Sequence, residues 1–263
     1  MAQTCGGFSA RFEPTMRPAF RGRHSQDAGR IRNVPIGRRA TGGTFREGPG
    51  YIWKIGPDGS VQHWTDLPDA VFINGCALHP DGQTLLACES LTGRILAIDL
   101  REPGRWSAWL TDERLKPNHP WFPGANGIKI RDGWAWISNS GRRLVLRTSL
   151  QPDGRPGAIE TTATHVLADD FAIGVSGSLY IATHPEQTVF RLDAAVNRTT
   201  IAGPREGAAG ATACAFGRAP GDQSALYVAT DGGIVAPYEG IVQEANLLRL
   251  EVGELGWPLI EHA

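Results

Sequence analysis

Two strand-like runs joined by a glycine-containing turn occur four times in this chain of 263 residues. The four copies are FINGCALHPDGQTLLACES (72–90), GANGIKIRDGWAWISNS (124–140), ADDFAIGVSGSLYIATH (168–184) and ATACAFGRAPGDQSALYVATDGG (211–233). In the second copy, apolar residues alternate on both sides of Asp132-Gly133, a pattern that predicts a β-hairpin. Four similar hairpins predict a repeat protein.

A second type of strand-like run separates the hairpins, with aromatic or aliphatic residues around a basic or polar one. It occurs as YIWKIGPDG (51–59), RILAIDL (94–100), LVLRTSLQPDG (144–154), TVFRLDAA (188–195) and NLLRLEV (246–252). An edge-like strand such as VQHWTDL (61–67) usually follows. About four strands in every 45 to 50 residues or so are typical of a β-propeller with four-stranded blades.

The alternative all-β fold is a β-sandwich of many short strands. It would explain the strand density but not the Asn or Asp that recurs where repeats begin. From Tyr51 onward the sequence provides the outer half of one blade and four repeats, so about five blades are predicted. We therefore divide the chain into an Arg-rich, poorly patterned segment at 1–48 and a propeller domain at 49–263.

Charge is unevenly distributed along the chain. The formal net charge is -1, but residues 1–46 contribute +7 and leave -8 for the remainder. A nearly neutral chain favours neither nucleic acid nor an acidic membrane as a partner. The sequence contains no apolar run of transmembrane length and no signal-peptide core, and we therefore expect a cytoplasmic protein.

Three of the four cysteines, Cys76, Cys88 and Cys214, lie in apolar strand-like runs, and no C-x-x-C pair occurs. We interpret these three as small core residues. The alternative is a disulfide between Cys76 and Cys88.

One position near the start of the repeats carries an oxygen-bearing side chain: Asn74, Asn126, Asp169 and Thr212. The inner strands of a propeller line its central channel, so these side chains are predicted to converge on one mouth of it. Amide and carboxylate oxygens are ligands for a hard divalent cation. The alternative is ordinary turn and Asx-capping chemistry, which needs no ligand.

The repeats resemble the SMP-30/gluconolactonase/luciferin-regenerating-like family over about residues 49–258. The phrases that carry the resemblance are FINGCALHPDGQTLL, ANGIKIRDGWAWISNS, DDFAIGVSGSLYIATHPEQTVFRLD and ATACAFGRAPGDQSALYVAT. The resemblance implies a six-bladed propeller whose channel holds a divalent metal through a first-blade Glu, middle-blade Asn residues and an Asp. In that family the metal polarises a lactone carbonyl or activates water, and the Asp is the general base.

On this resemblance, Asn74 and Asn126 match the two Asn-Gly ligand positions. Asp169 matches the Asp that is both a metal ligand and the catalytic base, with Asp170 as the candidate if the register is off by one. Calcium is the expected metal, with zinc or magnesium as alternatives. Glu47 lies in an EGP sequence like the family's, but YIWKI follows it at once, so we interpret it as a coincidental match.

Three further residues are predicted to bind substrate: His184, Thr212 and Trp121. His184 ends the second strand of its repeat and could also share a proton with Asp169; the alternative is a structural loop histidine. Trp121 belongs to the Pro-rich connection TDERLKPNHPWFPG (111–124), which is predicted to form a lid over the mouth or simply to pack between blades.

The sequence thus predicts a metal-dependent hydrolase of the lactonase type that opens a small-molecule lactone or ester. A second hypothesis is a non-catalytic propeller that binds a small ligand or a protein partner at the channel mouth. A third is a metal-free enzyme resembling strictosidine synthase. An unclosed blade edge would also favour oligomers.

Overall fold

The computed structural model describes residues 50–56 and 58–258, and the part of the chain it describes forms seventeen β-strands in five antiparallel sheets. The first sheet contains β1 (Gly50–Ile55) and β2 (Val61–Leu67). The second contains β3 (Ile73–Leu78), β4 (Thr84–Glu89), β5 (Arg94–Asp99) and β6 (Trp106–Thr111). The third contains β7 (Ala125–Arg131), β8 (Trp134–Asn139), β9 (Leu144–Leu150) and β10 (Pro156–Thr164). The fourth contains β11 (Asp170–Ile173), β12 (Leu179–Ala182), β13 (Val189–Leu192) and β14 (Arg198–Ala202). The fifth contains β15 (Ala211–Phe216), β16 (Ala225–Thr230) and β17 (Leu247–Glu251).

Each sheet is a meander in which strands adjacent in sequence pair with each other. This is the blade arrangement of a β-propeller, and it confirms the predicted fold and the four predicted hairpins. Three sheets have four strands, whereas the described residues give two strands to the first sheet and three to the last. The segment 1–48, which includes Glu47, lies outside the described residues. Two short 3₁₀ helices, Glu113–Leu115 and Pro204–Glu206, lie in connections between blades.

Apolar side chains from successive blades form the core. One cluster joins Ile52 and Leu67 of the first blade to Leu85 and Leu96 of the second, and three similar clusters follow along the chain. Each blade therefore buries its faces against its neighbours, as expected for stacked repeats. No helix in the described ranges is long and apolar enough to cross a membrane.

Two of the three cysteines predicted to be small core residues lie inside this core. Cys88 and Cys214 are buried free thiols, as expected for small core residues. Cys76 is disulfide-bonded, so its interpretation as an ordinary core residue is wrong. Because Cys88 is free, the alternative disulfide between Cys76 and Cys88 is wrong as well.

The inner strands β3, β7 and β11 approach one another closely at two glycines, Gly75 and Gly127. A Cβ atom on Gly75 would lie 2.4 Å from the carbonyl oxygen of Asn126 and 2.8 Å from the Cα atom of Gly127. A Cβ atom on Gly127 would in turn lie 2.7 Å from Oδ1 of Asp170. These distances are too short for a carbon atom, so only glycine fits at both positions, and at Gly75 the main chains of β3 and β7 lie in direct contact.

Candidate functional site

Strands β3, β7, β11 and β15 all begin at one end of the propeller, and their hairpin partners β4, β8, β12 and β16 end there. We call this end the mouth. The polar residues that the sheets place there include Asn74, Asn126, Asp169, His184 and Asp231.

Asn126 and Asp169 are in direct contact. The buried Asn126 Nδ2 group donates hydrogen bonds to Oδ1 of Asp169 at 2.5 Å and to Oγ of Ser140 at 2.9 Å. No hydrogen bond between described residues uses the other carboxylate oxygen of Asp169 or the amide oxygen of Asn126. Two oxygen atoms at the mouth are therefore available to a ligand.

The structure distinguishes Asp169 from its neighbour Asp170. Asp170 is buried and accepts a hydrogen bond from Nζ of Lys129 at 2.6 Å, so its charge is balanced. Asp169 has no Lys, Arg or His within ion-pair distance among the described residues. Of the two candidates, Asp169 is thus the one that contacts Asn126 and has no ion-pair partner among the described residues.

Electrostatics at Asp169 follow from this arrangement. Burial raises the pKa of its carboxyl group to about 7, although the positive charge of His184 and the hydrogen bond from Asn126 act in the opposite direction. The negative charges of Asp170 and Asp231 raise it further. A carboxyl group with such a pKa can exchange a proton near neutral pH.

His184 forms an ion pair with Asp231, which was not among the predicted site residues. Nε2 of His184 lies 3.0 Å from Oδ2 of Asp231, and both side chains are only partly exposed. Burial disfavours the charged imidazole, but the hydrogen bond to Asp231 and the charge of Asp169 outweigh it and raise the pKa of His184. Burial also acts against the charge of Asp231, but the hydrogen bond and positive charge of His184, together with the main-chain hydrogen bonds from Gly233 and Ile234, outweigh it and keep the pKa of Asp231 low.

Repeat alignment contains a signal that could have identified Asp231. The second strands end in CES, SNS, ATH and ATD, which places Ser90, Ser140, His184 and Asp231 at equivalent positions. The hydroxyl groups of Ser90 and Ser140 each donate a 2.7 Å hydrogen bond to a carbonyl group at the start of the next blade. Side chains at this position therefore contact the neighbouring blade. In the last two repeats the position is occupied by His184 and Asp231, which contact each other.

The other predicted residues lie at the same end but make fewer contacts. Asn74 is partly buried, and no hydrogen bond between described residues uses its side chain. The hydroxyl group of Thr212 donates to the carbonyl oxygen of Ala229 in its own blade at 3.3 Å. Trp121 is 58% exposed, in the connection that leads to β7. The roles assigned to all three remain predictions.

Comparison with known proteins supports the fold. No protein-family model matches the sequence, and no curated protein matches it either. Among solved structures, luciferin-regenerating enzyme superposes with a TM-score of 0.61 at 15% identity, covering 86% of this chain and 76% of that one. The chain has the propeller fold of that enzyme. The calcium-binding protein regucalcin from Agrobacterium tumefaciens gives a TM-score of 0.55 at 17% identity, covering 81% of this chain and 75% of its own. A structure of the nidogen/laminin complex gives 0.50 at 16% identity, with 70% and 68% covered.

Asp169 is expected to make the metal-free protein less stable as pH rises from about 4 to 7. Its folded pKa of about 7 exceeds the unfolded value of about 3.9, so the folded state binds more protons in this range. The free energy of unfolding therefore falls as pH rises. In Asp169→Asn, the decrease in the free energy of unfolding should be about 2 kcal/mol smaller than in the wild-type protein. The full pKa shift would give a larger difference, but water at the partly exposed side chain screens part of it. Urea unfolding at pH 4.5 and 7.5 with a chelator measures this difference, and equal losses in both proteins would contradict it.

Proposed function

We propose that this protein is a metal-dependent hydrolase of lactone or ester bonds, with its site at the mouth. The carboxylate of Asp169 carries the proposal, because it is partly buried beside the amide group of Asn126 and no cationic side chain in the described ranges lies within ion-pair distance of it. Leaving a charge in such surroundings is costly, and a bound cation would offset that cost.

The chemistry of the donor set fits a hard divalent cation. Asn74, Asn126 and Asp169 would hold it through two amide oxygens and one carboxylate, the oxygen ligands that calcium and magnesium prefer. The described residues contain no group of three His, Cys, Asp or Glu residues placed to hold a metal. Zinc prefers cysteine and histidine ligands, so a donor set made mostly of amide oxygens favours calcium or magnesium. The calcium-binding description of regucalcin, whose fold this chain shares, supports calcium as the first candidate. When bound, such a cation polarises the carbonyl group of an ester.

The protein's own residues would position water and accept its proton. Asp169 would accept the proton of the attacking water as the general base. The Nδ2 group of Asn126 holds one carboxylate oxygen, so that the other can face the water. Ser140 fixes Asn126 in turn, because its Oγ accepts from that amide and donates to the carbonyl oxygen of Ala168.

Calcium is expected to raise the melting temperature of the wild-type protein and not that of Asp169→Ala. A ligand that binds only the folded state stabilises it by about 2.7 kcal/mol at a hundred times its dissociation constant, or roughly 5 to 10 °C for a protein of this size. Thermal unfolding with a chelator and then with excess calcium measures the shift. Glu102→Ala is the matched control, since Glu102 is an exposed carboxylate in the turn between β5 and β6. No shift in the wild-type protein, or equal shifts in all three proteins, would contradict the site.

A non-catalytic binding role is the second candidate, and one observation favours it. The connection between β16 and β17 lies at the mouth and exposes more than half of four aliphatic side chains: Ile234, Val235, Ile241 and Val242. Exposed apolar groups of this kind can mark a binding surface. The propeller fold of the nidogen/laminin complex structure is consistent with such a role. Hydrolysis of a panel of lactones and aryl esters by the calcium-loaded protein separates the two candidates.

A further inference from the structure

We infer that Asp231 is a positioning residue that fixes the tautomer and orientation of His184, which makes His184 a second acid–base group at the mouth. This inference rests on the proposed hydrolase function. It assigns Asp231 a role and gives His184 a task distinct from that of Asp169.

The contact with Asp231 determines the tautomer of the His184 imidazole. Asp231 is a carboxylate with a lowered pKa, so it accepts a hydrogen bond, and Nε2 of His184 must carry the proton that lies between them. In the neutral ring, Nδ1 is then the nitrogen with the free lone pair. No hydrogen bond between described residues uses Nδ1 of His184. That nitrogen is therefore available to exchange a proton with a bound molecule.

Main-chain groups hold the carboxylate of Asp231 in place. Its Oδ1 atom accepts hydrogen bonds from the main-chain N–H groups of Gly233 at 2.7 Å and Ile234 at 3.3 Å. Gly210 lies directly against this oxygen, since a Cβ atom there would be only 1.8 Å away, and its φ of 65° also favours glycine. Because these groups fix one carboxylate oxygen, the other is held towards His184. A carboxylate that orients a histidine in this way is a recurring catalytic support.

Asp169 and His184 together would balance the protons of hydrolysis. The attacking water forms a bond to the carbonyl carbon and gives one proton to Asp169. The bond from that carbon to the leaving oxygen breaks, and the leaving oxygen takes one proton from Nδ1 of the His184 imidazolium. Asp169 then returns its proton to His184 through solvent, so no oxidant or further reactant is needed. The charged groups that act on His184 are Asp169 and Asp231, and both favour the imidazolium.

The test combines side-chain NMR with hydrolysis kinetics on the full-length protein. In ¹⁵N–¹H spectra above the pKa of His184, we expect the Nε2–H tautomer in the wild-type protein and a mixture of tautomers in Asp231→Asn. The matched control is Asp81→Asn, because Asp81 lies 3.1 Å from His79 in a second His–Asp pair, in the turn between β3 and β4 at the opposite end. That variant should leave the His184 signals unchanged.

With phenyl acetate as the probe and calcium present, Asp231→Asn is expected to lower kcat about 10- to 100-fold. Its KM and its calcium-induced rise in melting temperature should stay close to wild type, and Asp231→Glu should recover part of kcat. An unchanged tautomer in Asp231→Asn, or an unchanged kcat, overturns the positioning role alone. If the wild-type protein hydrolyses no ester or lactone, the proposed function fails and the catalytic task of His184 fails with it, whatever the spectra show.

Discussion

An Asp170→Asn variant is expected to lose about 4 kcal/mol of unfolding free energy relative to the wild-type protein. The side chains of Asp170 and Lys129 are only 8% and 15% exposed, and Nζ lies 2.6 Å from Oδ1. Removing the carboxylate charge leaves an ammonium group in a site from which water is largely excluded, and this uncompensated charge is the main cost. Urea denaturation at pH 7 measures the loss.

Two further variants separate the charge effect from a general loss of packing. The double variant Lys129→Met/Asp170→Asn should recover most of the stability, since replacing a whole buried pair costs far less than removing one partner. Asp153→Asn should change the free energy of unfolding by less than about 1 kcal/mol, because its pair with Arg155 is exposed. A loss below about 1 kcal/mol for Asp170→Asn, or no recovery in the double variant, would show that the pair is not the cause.

Gly75→Ala is expected to destabilise the protein by about 3 kcal/mol and to lower its melting temperature by about 10 °C. The added methyl group would lie within 2.8 Å of two main-chain atoms of β7, and main chain in a sheet cannot move aside as a flexible side chain can. β3 and β7 would have to separate, which would also disturb packing between the second and third blades. Differential scanning calorimetry measures the change.

Gly203→Ala is the matched control for this substitution. Its φ of -132° suits any residue, and an added Cβ atom would meet only Oε2 of Glu206, at 3.4 Å. We expect its melting temperature to stay within about 2 °C of wild type. If Gly75→Ala unfolds at the same temperature as Gly203→Ala, the inner strands are not in the tight contact described above.

Sequence alone predicts the blades because each hairpin carries its own evidence, namely apolar alternation on both sides of a glycine-containing turn. The sequence also places Asn126 and Asp169 near the start of their repeats, and the structure brings them into contact. Neither inference requires knowledge of contacts between blades.

Contacts between blades are the part that the sequence does not reveal. Lys129 and Asp170 are 41 residues apart and pair only because β7 and β11 become neighbours. Asp231 reads in isolation as an Asp-Gly turn residue, and its role depends on a histidine 47 residues earlier. Pairings at such separations depend on how the blades pack, which the pattern within one repeat does not specify.

The glycine contacts between the inner strands have a consequence for ion size. Gly75 and Gly127 adjoin Asn74 and Asn126, so the spacing between these two amide groups is tied to main-chain contact between β3 and β7. Selectivity between calcium and magnesium depends on how large and how rigid the cage of oxygen atoms is. In this propeller that dimension would be set by residues that never touch the ion, and a substitution that separates β3 from β7 would change which cation fits best.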